Sequence, residues 1–147
     1  MLILAHTVCS LLSYAAFLAA FVSGVLFLVQ DGQLKHKHMG VLFHRLPPLA
    51  MLDRINFVAL GVGFALLTLG VAFGLLSSWQ LHGTVWRGSP QEVLIVTVWI
   101  AYLGLWLMRL RSTLRGRRVA LLSILGFTLA LFTFVQVSHW MPWHAYL

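Results

Sequence analysis

The sequence predicts an all-α integral membrane protein: one bundle of four transmembrane helices with both termini on the outer, extracytoplasmic side. Three observations predict it. The 147-residue chain is 61% hydrophobic and 9% charged, with a mean hydropathy of +0.93, whereas a soluble domain has roughly 45–50% apolar and about 25% charged residues. Four runs are long enough to cross about 30 Å of hydrocarbon at roughly 1.5 Å per helical residue. Nine of the ten Lys and Arg side chains fall in two of the connections between those runs, and Arg87 alone falls in the third.

The first run, residues 2–29, has no basic segment before its apolar stretch and outlasts a signal peptide, so it reads as a permanent helix. Residues 31–54 follow as a polar connection lying along the membrane surface, with Pro47-Pro48 marking a break before the next helix. The second run, 55–77, carries Gly61, Gly63 and the pair Gly70-x-x-x-Gly74, small residues that let a neighbouring helix come close. An outer loop over 79–92 leads to the third and shortest run, 93–110, and a basic connection over 109–118 leads to the fourth, 119–138. Lys35, Lys37, Arg45, Arg54 and the five arginines of 109–118 make both basic connections cytoplasmic. The stretch RLRSTLRGRR needs no nucleic acid to explain it, because basic residues at helix ends follow from topology and from anionic inner-leaflet lipid. With no tandem repeat, the chain forms one membrane domain, residues 1–147. Its lone cysteine, Cys9, leaves no internal disulfide and no C-x-x-C pair.

Chemistry is concentrated in the seven histidines. His36, His38 and His44 belong to the basic connection and read as solvated. His6, His82, His139 and His144 all fall at outward helix ends or in the outer loop. His6 lies one turn inside the first helix, where a polar ring is costly unless it faces the bundle and finds a partner. It is either a functional residue or an interfacial histidine bonded to a backbone carbonyl or headgroup. Imidazoles presented across a bundle suit axial ligation of iron, with one ring nitrogen fixed by an acceptor. No Asp or Glu falls within the four runs and Glu92 is the sole outward acid. That excludes a carboxylate-rich metal site, a carboxylate pair for acid–base work and an outward Ser-His-Asp triad. A flat, apolar, iron-bearing ligand such as haem remains. Trp79, Trp86, Trp140 and Trp143 share the same side, either as an interfacial belt or as walls of such a site.

The order of these features resembles the cytochrome c assembly family of CcsA, CcmC and HemX type. The resemblance rests on AHTVCSLLSYAAFLAAFVSGVLFLVQDGQLK, on LDRINFVALGVGFALLTLGVAFG, on TVWIAYLGLWLMRLR and on RGRRVALLSILGFTLALFTF, and so covers nearly the whole chain. In that family one outward histidine precedes a tryptophan-rich outer loop and a second follows it, the two serving as axial ligands of a b-type haem. His6 matches the first and His144, in MPWHAYL, the second. The family loop reads approximately Gly-x-x-Trp-x-Trp-Asp-Pro-x-Glu followed by a further Trp; here it is GTVWRGSPQEVL. Gly83, Trp86, Pro90 and Glu92 are kept, Gly88 and Ser89 replace the Trp-Asp pair, and Leu94 stands where the further Trp belongs. Family members usually carry helices ahead of this core.

The resemblance implies a multi-pass protein of the inner (cytoplasmic) membrane that binds one non-covalent haem b and handles it rather than turning over a substrate. His6 and His144 would be the iron ligands, with Arg87 near a propionate and Trp86, Trp140 and Trp143 packed around the ring. The lack of C-x-x-C-H speaks against a covalent haem. Partners would be membrane lipid and other membrane or cytochrome subunits. Because the loop that presents haem in the family is altered, a second reading makes the chain a haem-carrying or space-filling subunit of a larger respiratory or photosynthetic complex. A third is a structural membrane protein without haem. His82 and His139 are the competing ligands. On a continuous helix His139 and His144 would point about 140° apart, so that only one faces the bundle, although Pro142 interrupts such a continuation.

Overall fold

Four long helices account for nearly all of the chain that the structure, a computed structural model, describes: residues 1–35, 47–86, 88–111 and 116–140, the side chains of Gln91 and 137–140 excepted. They are α1 (Leu2–Lys35), α2 (Leu49–His82), α3 (Pro90–Leu110) and α4 (Arg117–Trp140). Each is long and apolar enough to cross a membrane.

α2 and α4 run further than their apolar runs at both ends, α1 at its end and α3 at its start. With 34 residues each, α1 and α2 reach about 51 Å, well beyond the hydrocarbon, so their ends stand in the interface. Asp31 and Lys35, at helical i,i+4 spacing and 2.9 Å apart, hold the last turn of α1 where a polar connection is expected from composition. Pro48, extended at φ −55°, ψ 146°, precedes α2, and Met51 and Leu52 donate to its carbonyl. Trp79 to His82 complete α2 rather than a loop. Gly83 ends it in the left-handed region at φ 69°, its N–H donating to the Trp79 carbonyl, a conformation that glycine adopts without steric cost.

Consecutive helices pack antiparallel, α4 returns against α1, and α1 with α2 is the most extensive pairing. In lipid there is little hydrophobic drive between helices, so close packing and interhelical hydrogen bonds hold such a bundle. Small residues make the approaches. A methyl group on Gly24 would lie 3.2 Å from the Ala120 carbonyl oxygen, and one on Gly63 would overlap the Phe17 ring. That ring is stacked on Tyr102 of α3 at 3.8 Å, crossing one diagonal of the bundle, and Tyr102 in turn lies over Gly126. The other diagonal is polar: Asn56 donates to the Ala20 carbonyl at 2.8 Å and to Ser123 Oγ at 3.1 Å. Phe17, Ala20, Asn56, Leu60, Tyr102 and Ser123 are all buried around this crossing.

At the basic end Arg109, shared in the sequence between the third run and the basic connection, lies in the last turn of α3 with its side chain 5% exposed, paired with Asp53 Oδ2 at 2.7 Å. It also donates to the Asp53 carbonyl at 3.0 Å and lies over the Phe57 ring. Burial is tolerated because a carboxylate from the neighbouring helix neutralises the charge.

Candidate functional site

His6 is the fifth residue from the start of α1, at the end of the bundle where α2 finishes and α3 begins. Across from it α2 presents Gly70-x-x-x-Gly74. In a helix the carbonyl of residue 70 points toward residue 74, and with glycine there no side chain stands beside that oxygen. The imidazole occupies the resulting niche. His6 Nδ1 is 2.7 Å from the Gly70 carbonyl oxygen, and a methyl group on Gly74 would sit 3.0 Å from Nδ1 and 3.1 Å from Cε1. Gly70 performs the same service one turn along: its own methyl would meet Ser10 Oγ at 3.1 Å and Cys9 Cβ at 3.7 Å, so its absence brings α1 close enough for His6 to reach.

The chemical consequence is a fixed tautomer. A carbonyl oxygen only accepts, so the bond needs the proton on Nδ1, and a neutral imidazole then keeps its lone pair on Nε2. A histidine whose Nδ1–H is held by a backbone carbonyl is oriented and electronically set for Nε2 ligation of a metal. His6 is half-buried, and the one carboxylate at this end of the bundle, Glu92, is engaged in capping α3. Among the described residues no group of three or more His, Cys, Asp and Glu side chains lies together.

The connection between α2 and α3 shortens to residues 83–89, with Arg87 outside the described residues. Trp79 and Trp86 are 57% and 49% exposed, and Gly88 turns in the left-handed region at φ 70°. Ser89 Oγ accepts from the Glu92 N–H at 3.3 Å and the Glu92 carboxylate accepts from the Ser89 N–H at 3.3 Å. With Pro90 in the first turn, this is a complete capping box. His82 is exposed in the last turn of α2, about 12 Å further along the axis than Gly74. That separation keeps it away from the niche of His6. His139 and Trp140 belong to the last turn of α4, but their side chains, together with Arg87, Trp143 and His144 and the histidines 36, 38 and 44, lie outside the described residues. The pairing of His6 with residue 144 therefore has one described half.

The model of the cytochrome c assembly protein family matches residues 1–144. The chain belongs to the cytochrome c assembly family. That match begins before His6 and ends on His144. The chain is similar to the cytochrome c biogenesis protein CcsA of Synechococcus sp. (strain JA-2-3B'a(2-13)), 33% identical over 88 residues, 60% of this chain and 25% of that protein. It is also similar to CcsA of Guillardia theta, 26% identical over 148 residues, 90% of this chain and 49% of that protein. CcsA of Prochlorococcus marinus subsp. pastoris is 34% identical over 87 residues, 59% of this chain and 28% of that protein. The chain thus spans between a quarter and a half of the length of these curated relatives. No solved structure matches it. It is a multi-pass membrane protein of this family, and two features of this end of the bundle went unread in the sequence. Gly70 and Gly74 register there only as packing residues, and Ser89 only as the loss of an Asp. In the fold Ser89 caps α3, a task Ser and Asp perform about equally well.

Proposed function

We propose that this cytochrome c assembly protein binds one b-type haem at the outer end of the bundle, with His6 Nε2 as one axial ligand and His144 as the other. The observation that carries the proposal is the 2.7 Å bond between His6 Nδ1 and the Gly70 carbonyl, because it leaves the ligating nitrogen bare and aims the ring. The donor set fits haem. It offers imidazole in apolar surroundings and, among the described residues, no carboxylate cage, as suits a haem that would be held by histidine. Trp86, Trp140 and Trp143 would flank the ring and Arg87 would face a propionate.

When bound, haem supplies one-electron chemistry or is itself the cargo of cytochrome assembly. The chain's own residues hold and orient it, so the protein acts by binding and handling rather than by substrate turnover. A second reading, in which the haem is retained inside a larger respiratory or photosynthetic complex, is favoured by Gly88. This residue turns in the left-handed region at a position where the family's loop carries a tryptophan.

Purified protein should show a reduced b-type absorbance that is lost in both His6→Ala and His144→Ala at unchanged helical content. Absence of haem from the wild-type protein overturns the proposal, as does full retention in His6→Ala. Transfer of the bound haem to apocytochrome c supports assembly, whereas haem retained through turnover of a co-purified redox complex supports the second reading.

A further inference from the structure

An apolar groove lies away from His6, at the basic end, between α1 and α2. It measures about 860 Å³. Ala16, Ala19 and Ala59 form its floor, and Met51, Val58 and Val62 rise along one side of α2. From Ala50 to Val62 the lining follows α2 for about 18 Å, close to half of the roughly 40–45 Å bilayer with its headgroups. The groove is therefore as long as one leaflet is deep. Near its basic end stands Arg54, which also lines it and is exposed. Arg54 is the last charged residue before the uncharged run 55–77, the depth at which headgroups begin.

The charge arrangement selects the occupant. The chain has three carboxylates. Asp31 is taken by Lys35 at 2.9 Å and approached by Arg117 at 4.0 Å, Asp53 is taken by Arg109 at 2.7 Å, and Glu92 caps α3 at the opposite end. Among the described residues, none of the ion pairs that these acids make involves Arg54. A guanidinium at the head of a one-leaflet apolar groove matches a phosphate above an acyl chain. We infer that the α1–α2 groove is a binding site for one anionic phospholipid of the inner leaflet, its phosphate on Arg54 and an acyl chain along the alanine floor.

The test is native mass spectrometry of the full chain, released from mixed micelles holding phosphatidylglycerol and phosphatidylethanolamine in equal amounts. The wild-type protein should retain one phosphatidylglycerol in preference. Arg54→Gln should lower that retention about fivefold, the effect of one basic side chain near an anionic surface. Arg118→Gln, an exposed arginine outside the groove, should leave it unchanged, and Ala19→Trp should abolish retention of both lipids by filling the floor. Equal retention of the two lipids overturns the inference, as do equal losses in Arg54→Gln and Arg118→Gln or an unaffected Ala19→Trp. A partner helix that cross-links at position 19 and displaces the lipid also overturns it. Should Ala19→Trp fail to fold, the two arginine variants decide the matter.

Discussion

On the proposed reading, a single methyl group separates packing from ligand chemistry at position 74. Alanine favours a helix interior over glycine by about 1 kcal/mol, so Gly74→Ala should leave α2 intact or firmer. The added carbon would nevertheless stand 3.0 Å from His6 Nδ1 and turn the imidazole away from the Gly70 carbonyl. The expected outcome is haem content reduced about tenfold, the scale seen when an outer-shell partner of a metal ligand is lost, with helical content and thermal stability preserved. Equal haem content in Gly74→Ala and wild type would show that the niche does not position the ligand. His6 itself is legible in the sequence, because a polar ring among apolar neighbours needs a reason. Its partner is not, since Gly70-x-x-x-Gly74 reads as a packing motif until the register of α1 against α2 sets the ring beside that carbonyl.

At the scale of the helices, two polar contacts fix that register. Asn56 ties α2 to α1 through the Ala20 carbonyl and to α4 through Ser123, and the Asp53–Arg109 pair ties α2 to α3. Interhelical hydrogen bonds in membranes contribute about 0.6 kcal/mol on average and up to about 1.7. Asn56→Leu should therefore lose about 1 kcal/mol, measured by titrating the detergent-solubilised protein with a denaturing detergent. An unchanged midpoint would mean that the glycine approaches alone hold the three helices. Neither contact is legible beforehand. Asn56 and Ser123 fall inside apolar runs with nothing to pair them, and Arg109 looks like one more basic residue at a helix end. The helix lengths were equally hidden, because a hydropathy run ends where apolar residues end, whereas the hydrogen-bonded helix continues through Asp31–Lys35 at one end and Trp79–His82 at another.

For the molecule as a whole, the four spans and the family could be read from run lengths and ordered motifs, while the orientation rests on the distribution of Lys and Arg. In a Cys9→Ser background, a membrane-impermeant thiol reagent should label Thr84→Cys on intact cells and Lys35→Cys only after lysis. The opposite pattern would invert the bundle and put His6 on the cytoplasmic side. The described core adds a constraint on traffic. Phe17 on Tyr102 spans one diagonal and Asn56 on Ser123 the other, with Phe17 and Ser123 1% exposed, Tyr102 and Leu60 2% and Asn56 3%. Among the described residues the bundle is braced across both diagonals like a frame with a solid panel, and these side chains close its axis at that level. On the proposed reading, a haem held at His6 would arrive sideways from the lipid or from the end of the bundle beside the 83–89 turn, and the protein would serve as a ledge on the membrane surface rather than a tunnel through it.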